Sequence, residues 1–382
     1  METAKLAAMV EVFEGLEDWR NAQQTRHRLS ELVTVAVCAV LSGADDFEEI
    51  AQWGDAKLDW LRGFLKLDYG VASPDTFERV FALLDPLGFE RAFRTWVGAV
   101  IPAVGREQVV AIDGKTSRRT TSKAAAAPLH LVSAFAAEVG VVLGQTATAE
   151  KSNEITAIPE LLRTLDVKEC IVTIDAMGTQ TAIARQIREQ QAHYVLCVKD
   201  NHPKLLDSIL LAHAGVGGPL EVVSTSETRS RGHGREELRR CWAFEVGERL
   251  YKTEQWRDLR SFAVVERTRT AGGKTTVERR HYISSLAADA DKIARAVRSH
   301  WEIENRLHWC LDVQFGDDYA RARTGHVAHN LALVRHIALN LIRLNASRKA
   351  SIKTKRLLAA TSDDFRAELL GFEPETEEDD AE

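Results

Sequence analysis

The stretch Val-Val-Ala-Ile-Asp-Gly-Lys-Thr, residues 109–116, places an acid directly after a short apolar run. A second stretch of the same kind, Cys-Ile-Val-Thr-Ile-Asp-Ala-Met-Gly-Thr-Gln at 170–180, ends its apolar run at Asp175. Short continuous apolar runs bounded by turn residues predict buried strands. We therefore expect Asp113 and Asp175 at the carboxyl ends of two buried strands.

The segments around these two acids predict an α/β fold built on a mixed sheet. Residues 107–202 give the order β-β-β-α-β-α-β, with a hairpin turn at Val139–Gly140 and a helix capped by Ser152 or Asn153. Three antiparallel strands followed by two parallel crossovers place helices on both faces of such a sheet. The first and fourth strands are then neighbours, so Asp113 and Asp175 should lie side by side where sites of open sheets form.

A third acid, Glu304, lies in the helical pattern His-Trp-Glu-Ile-Glu-Asn-Arg-Leu-His-Trp at 300–309. Two strand-end carboxylates and one from a helix packed against them can hold a pair of divalent cations, which clamp the attacking and leaving oxygens of a phosphodiester. This arrangement predicts a nuclease or a DNA strand-transfer enzyme. For either Asp alone a capping role would be favoured, and Glu302 should point away from the site.

The remaining segments predict the following organisation. Residues 1–106 are helical, with Ser30 and Ser73 as helix caps, and serve DNA binding or oligomerisation. Residues 107–202 and 289–346 form the two parts of the core, and the second part carries the catalytic helix. Between them, 203–288 form a β-rich insertion with a hairpin at 271–273. A basic helix or arm, suited to phosphate contacts, spans 347–372, and an acidic disordered tail spans 373–382.

Composition limits the class of protein without deciding it. The 382 residues are 45% hydrophobic and 28% charged, as in a globular protein with a full core. The net charge of −6 is concentrated in the seven acids of the last ten residues, so the rest of the chain is close to neutral. Five cysteines without metal spacing predict buried thiols in a reducing compartment. We find no secretion signal and no apolar run long enough for a membrane helix.

Several motifs together resemble the DDE transposases of the H-repeat-associated protein family, carried by bacterial insertion sequences. They are AIDGK, EKSNEITAIPELL, TIDAMGTQ, YVLCVKDNHPKL, GHGREELR and HWEIENRLHWCLDVQFGDDYARAR, in family order between Trp19 and Ala346. The resemblance implies an RNase H-like fold of the cut-and-paste type, with a β-rich insertion between the second and third acids. It implies Asp113, Asp175 and Glu304 as catalytic residues and as ligands of two Mg²⁺ or Mn²⁺ ions.

Candidate DNA contacts come from basic and polar groups near the acids or in the insertion. They are Lys115, Lys199, Asn201, Arg231, His233, Arg235, Arg298, His300, Asn305 and His308. In related transposases an Arg precedes the tryptophan of the glutamate motif, whereas this chain has His300 there and Arg298 two positions earlier. Each contact has a plainer alternative: an ion pair, a solvated surface or a core position. Trp242 and Trp256 are candidates for stacking on a displaced base, although a core role is favoured for both.

The sequence therefore predicts an enzyme that binds double-stranded DNA, both the terminal inverted repeats of its element and the target. We expect a homodimer or higher oligomer on DNA, with no membrane association, in the cytoplasm and at the nucleoid. Two alternatives remain: an RNase H-fold nuclease that cuts without joining, and an inactive DNA-binding relic that represses its element.

Overall fold

A computed structural model describes residues 4–21, 23, 25–101, 105–117, 120, 128–148, 154–216, 218, 220–232, 234–319 and 323–372. Its helices are α1 Ala4–Glu14, α2 Leu29–Leu41, α3 Phe47–Ala56, α4 Leu58–Arg62, α5 Pro74–Leu83, α6 Pro86–Val100, α7 Glu154–Arg163, α8 Thr181–Glu189, α9 Pro203–His213, α10 Ala290–Glu302, α11 Trp309–Gln314, α12 Val327–Leu344, α13 Ile352–Thr361 and α14 Asp363–Leu370. Its strands are β1 Val109–Thr116, β2 His130–Ala136, β3 Val141–Thr148, β4 Ile171–Ile174, β5 His193–Val198, β6 Ser224–Gly232, β7 Arg235–Glu245, β8 Ser261–Ala271 and β9 Lys274–Ser284.

The strands form one mixed sheet in the order β3-β2-β1-β4-β5-β9-β8-β7-β6. Strands β1 to β3 are antiparallel, whereas β4 runs parallel to both β1 and β5. The first five strands have the predicted order, and the hairpin turn between β2 and β3 lies at the predicted position. The fold is therefore α/β, a mixed sheet of RNase H-like topology with flanking helices.

The predicted β-rich segment extends this sheet, since its four strands follow β5 in the strand order. The inner end of β9 pairs antiparallel with β5, from Val195 opposite Ser284 to Val198 opposite His281. This end of β9 is buried, whereas its outer half, Lys274–Arg279, is exposed. One strand thus completes the core at one end and carries the outer hairpins at the other. The predicted hairpin turn between β8 and β9 is present.

The two faces of the sheet carry different helices. Helix α7 contacts β2 and β3, and α10 contacts β1, β4 and β5. Neighbouring residues of a strand point to opposite faces, and Asp113 faces the segment after α10 while Gly114 faces the start of α7. Asp113 lies within β1 and not at its carboxyl end as predicted, because β1 continues to Thr116, and its side chain is directed to the α10 face.

The amino-terminal helices share a continuous hydrophobic core with the sheet domain. Every residue of α2 is buried, and α2 packs against α12 from the other end of the chain. Ser30 lies inside α2, so its predicted capping role is wrong. The Ser73 hydroxyl does cap α5, accepting a hydrogen bond from the Thr76 N–H at 3.4 Å.

The basic carboxyl-terminal segment, for which one basic helix or arm was predicted, contains two helices, α13 and α14. The Lys355 ammonium is buried and donates to the carbonyl oxygens of Ile342, at 3.2 Å, and Asn345. The buried Arg356 guanidinium donates to the Val40 carbonyl at 3.0 Å. These two cations hold α13 against the core, and neither is available to a phosphate. None of the helices in the described ranges is long and apolar enough to cross a membrane.

Candidate active site

Asp113 and Asp175 lie at the same edge of the sheet because β1 and β4 run parallel in register. Ile112 pairs with Ile174, and each is followed by one of the acids: Asp113 continues β1, whereas Asp175 is the first residue after β4. The Asp175 carboxylate accepts hydrogen bonds from the backbone N–H groups of Met177, at 3.0 Å, and Gly178, at 3.2 Å. These bonds fix the carboxylate at the mouth of the following turn. Both acids line one cavity of about 220 Å³.

Glu304 reaches the same cavity from the helical side. It lies in a π-helical turn, Ile303–His308, between α10 and α11, where the sequence predicted one continuous helix. Ile303 and Leu307 are completely buried, so they anchor the turn while the Glu304 side chain stays about half exposed. Single π-helical turns are rare and are often found at functional sites. The structure thus brings the three predicted acids to one cavity.

The three carboxylates concentrate negative charge in the cavity. Burial raises the pKa of Asp113 to about 6, against the opposing effect of His308 and with further raising by Asp175 and Glu304. Carboxylates that share a poorly solvated site repel each other in their ionised forms. A divalent cation would remove that repulsion, and carboxylate oxygens are the ligands that Mg²⁺ and Mn²⁺ prefer. The donor set therefore fits a divalent cation.

A buried hydrogen bond between His130 and Glu154 lies directly behind Asp113 on the other face of the sheet. The ring of His130 is 2.7 Å from the Glu154 carboxylate, Nε2 to Oε1, and both side chains are buried. A Cβ atom at Gly114 would collide with both groups. The glycine of the Asp-Gly pair is therefore required by packing at this position. Glu154 is the first residue of α7.

Among the candidate DNA contacts, Lys199 lies on the rim of the cavity lined by the three acids, exposed directly after β5. Lys115 does not, because its ammonium is held by the carboxylates of Asp312, at 2.7 Å, and Asp317, at 2.5 Å. Only 11% of its side chain is exposed, so its charge is compensated within the protein. This placement argues against a phosphate contact by Lys115.

Two further candidates, Asn201 and His300, form hydrogen bonds with residues next to Asp175. The Asn201 side chain donates to the Ala176 carbonyl at 2.5 Å and so holds the loop that follows Asp175. His300 is half-buried against β4, with its Nδ1 3.1 Å from the Thr173 hydroxyl. Burial lowers the pKa of His300 to about 4, so the ring is neutral at physiological pH and is a weak partner for a phosphate.

The other candidates lie at different points around the site. Arg298, Asn305 and Arg235 line a second, larger groove. Arg231 lies at the tip of the β6–β7 hairpin, where it pairs with Glu236. His308 is only 5% exposed and faces the acids, so it is not accessible to a phosphate. His233 lies outside the described residues.

The larger groove, about 640 Å³, adjoins the cavity of the three acids and shares Arg280 and Trp301 with it. Its lining includes seven arginines from the sheet extension and α10: Arg235, Arg239, Arg240, Arg267, Arg280, Arg295 and Arg298. The Arg280 guanidinium lies over the Trp301 ring at 4.3 Å from its centroid. We call this surface the arginine groove.

Sequence reasoning missed Arg267, Arg280 and the exposed Trp301 as members of this surface. The period-two alternation of β9 is the signal that was available, because Glu278, Arg280 and Tyr282 share one face. Trp242 and Trp256 have the core role that was favoured. Trp256 is buried, and Trp242 packs on His213 with ring centroids 6.1 Å apart.

Comparison with known proteins gives a consistent result. Residues 105–341 match the family model described as a transposase DDE domain, and residues 10–97 match one described as "DDE_Tnp_1-associated". The chain is 37% identical over 96% of its length to YncI of Escherichia coli O157:H7, covering 95% of that protein, which is provisionally named a transposase. It is 35% identical over 97% of its length to YhhI of Escherichia coli K12, covering 98% of that protein, which is provisionally named an H repeat-associated transposase.

Among solved structures, the chain shows a remote likeness to a piggyBac transposase in a synaptic complex with hairpin DNA. The TM-score is 0.47 at 9% sequence identity, over 96% of this chain and 81% of the other. We draw no functional conclusion from a likeness at this level.

Proposed function

The chain belongs to the DDE transposases, within the H-repeat-associated family, and on that premise we propose that it cleaves DNA at the ends of a mobile element and joins those ends to target DNA. The observation that supports this most directly is the cavity shared by Asp113, Asp175 and Glu304. The protein would bind double-stranded DNA, both the terminal inverted repeats and the target. The protein would act as a homodimer or higher oligomer on that DNA.

The three carboxylates would hold two divalent cations, Mg²⁺ or Mn²⁺. Such a pair supplies positive charge to both the attacking and the leaving oxygen of an in-line displacement at phosphorus. Asp113 is positioned within β1 and Asp175 directly after β4, and Asp175 is further fixed by two backbone N–H groups. Glu304 approaches from the helical side, so a ligand in the cavity would be held between the sheet and the π-helical turn.

Two successive displacements account for the proposed activity. In the first, water attacks the phosphodiester at the element end, the P–O bond to the 3′ oxygen breaks, and a 3′-hydroxyl and a 5′-phosphate result. In the second, that 3′-hydroxyl attacks a target phosphodiester and displaces the target's own 3′ oxygen. Each step exchanges one P–O bond for another, so no covalent protein–DNA link and no external energy source are required.

The arginine groove and Lys199 supply the positive charge that a DNA backbone needs beside this cavity. Contacts to phosphates position DNA without reading its sequence. We propose that Arg235 and Arg298 are such contacts. We assign no phosphate contact to the four candidates whose side chains are buried or hydrogen-bonded within the protein: Lys115, Asn201, His300 and His308.

Incubation of the purified protein with Mg²⁺ and a labelled element-end duplex, together with a target plasmid, tests the proposal. Nicked or cut ends that carry a 3′-hydroxyl, and labelled ends joined to the plasmid, are expected. Cut ends without joined product would indicate a nuclease of the same fold. Binding without any cleavage, in both Mg²⁺ and Mn²⁺, would indicate an inactive DNA-binding relic and would contradict the proposal.

A further inference from the structure

His308 lies against two of the three acids, Asp113 and Glu304. It is the last residue of the π-helical turn, and 5% of it is exposed. Its Nδ1 is 3.5 Å from Glu304 Oε2 and 3.7 Å from Asp113 Oδ2. One ligand atom from each of the three residues lies within 4.8 Å of the other two. At metal–ligand distances of about 2.1 Å, adjacent octahedral ligands are roughly 3 Å apart, so small side-chain movements would bring all three onto one cation.

The other ring nitrogen of His308 supplies a second, independent observation. Nε2 is buried and has no hydrogen-bond partner among the described residues, and the same holds for Nδ1 of His336. Both histidines line a small cavity behind the acids, together with Ser133, and its volume is about 10 Å³. A cavity of this size with several polar groups on its walls is suited to one water molecule. Metal-bound histidines usually donate their second N–H to such a partner, which fixes the tautomer and the ring orientation.

We propose that His308 is a nitrogen ligand, through Nδ1, of the divalent cation held by Asp113 and Glu304. Its Nε2–H is donated to a buried water that also reaches His336. The inference rests on the proposed function, because it concerns a cation at the same cavity. An imidazole ligand favours Mn²⁺ over Mg²⁺, since Mg²⁺ prefers oxygen donors. The site is therefore a mixed oxygen and nitrogen site, which binds Mn²⁺ in preference to Mg²⁺.

The alternative is that His308 contacts Asp113 and Glu304 only as a hydrogen-bond donor and never binds the metal. A Lys at 308 would satisfy that role but could not act as a ligand at neutral pH. An Asp at 308 has the opposite properties: it can bind a cation through oxygen but brings no nitrogen. The two variants His308→Lys and His308→Asp therefore separate the two roles.

Pulsed electron paramagnetic resonance of Mn²⁺ bound to the full chain without DNA tests the proposal independently of activity. Modulation from a ¹⁴N nucleus directly bonded to Mn²⁺ is expected in the wild type. It should be lost in His308→Asp, which still binds Mn²⁺, while His308→Lys should weaken Mn²⁺ binding about tenfold or more. His326→Gln, at an exposed histidine before α12, is the control and should keep the signal.

The possible results distinguish failure of the His308 proposal from failure of the proposed metal-dependent function. Mn²⁺ that binds the wild type and is lost in Asp113→Asn, but shows no ¹⁴N coupling, would overturn the role of His308 alone. A wild-type protein that binds neither Mn²⁺ nor Mg²⁺ would contradict the proposed function itself. Circular dichroism of each variant verifies the fold, and the retained Mn²⁺ binding of His308→Asp keeps the test valid if His308→Lys does not fold.

Discussion

At the scale of single residues, Asp113 carries the electrostatic cost of the site in the metal-free protein. Its folded pKa is raised to about 6, from an unfolded value of roughly 3.9. The folded state therefore binds this proton more tightly than the unfolded state does. The contribution of Asp113 to the free energy of unfolding is therefore largest below the unfolded pKa, and it is lost as the pH rises from about 4 through about 6.

Asp113→Asn should consequently stabilise the metal-free protein above pH 6. The expected gain is at most about 3 kcal/mol at pH 7.5, since two pKa units correspond to that free energy. Near pH 4 the variant and the wild type should unfold alike. Thermal unfolding in the presence of a chelator, at both pH values, measures this. A variant that is less stable than the wild type at pH 7.5 would show that Asp113 is not destabilised in the fold.

Addition of Mn²⁺ provides the matched comparison for the same pair of proteins. Ligands that bind only the folded state raise its stability, and the gain grows with the logarithm of ligand concentration divided by Kd. The wild type should gain melting temperature at pH 7.5, and Asp113→Asn should gain much less. Equal gains in the two proteins would place the cation elsewhere.

The sequence predicted Asp113 and Asp175 well because their placement depends on local information. An apolar strand followed by an acid, repeated in two parallel strands, brings both acids to one edge whatever the rest of the chain does. Lys115 was not predictable in this way, because its partner Asp317 is 202 residues away in the chain. Proximity in sequence suggested a phosphate contact, whereas a tertiary ion pair holds the side chain.

At the scale of elements, the sheet extension β6–β9 and helix α10 form the arginine groove together. Arg235 is on β7 and Arg298 is on α10, so neither element alone makes the surface. The strands were predictable from their turns. Their continuity with β5 was not, because pairing between β9 and β5 joins segments that sequence patterns leave independent. The π-helical turn was likewise invisible, since its residues fit an ordinary helical period.

The pair Arg235→Ala and Arg298→Ala should weaken binding to element-end DNA. Each lost phosphate contact should lower the slope of log affinity against log salt by about one unit. Binding to unrelated DNA should weaken in parallel, because backbone contacts carry no base information. Fluorescence anisotropy across a salt series measures both quantities.

Arg163→Ala is the control for that series. Arg163 is exposed in the last turn of α7, the helix that packs on β2 and β3. Its replacement should leave affinity and slope at the wild-type values. If the Arg235 and Arg298 variants behave like this control, the groove has a structural role and DNA binds elsewhere.

At the scale of the whole molecule, the amino-terminal helices and the sheet domain share one hydrophobic core. Composition and period correctly indicated a helical first hundred residues, but they could not show that α12, from beyond residue 326, packs against α2. A boundary near residue 106 marks a change of secondary structure within a continuous core.

A protein that lacks residues 1–106 should therefore fail to fold cooperatively. Removal of residues 1–106 would expose the apolar side of α12, in which fifteen of eighteen residues are buried. Loss of a sigmoidal urea transition, with binding of a hydrophobic dye, is the expected result. Deletion of residues 373–382 is the comparison, since that acidic segment has no apolar face and its loss should leave the melting temperature nearly unchanged. A truncated protein with a sharp transition would instead establish an independent domain.

The central claim is that Asp113, Asp175 and Glu304 act as one metal-dependent site on DNA. Its most direct test is single-turnover cleavage of an element-end duplex by Asp113→Asn, Asp175→Asn and Glu304→Gln, with Glu302→Gln as the control from the same helical segment. We predict that each of the three lowers the cleavage rate by roughly 100-fold or more while DNA binding is retained, and that Glu302→Gln stays near the wild-type rate. Cleavage at the wild-type rate by any of the three variants would contradict the account.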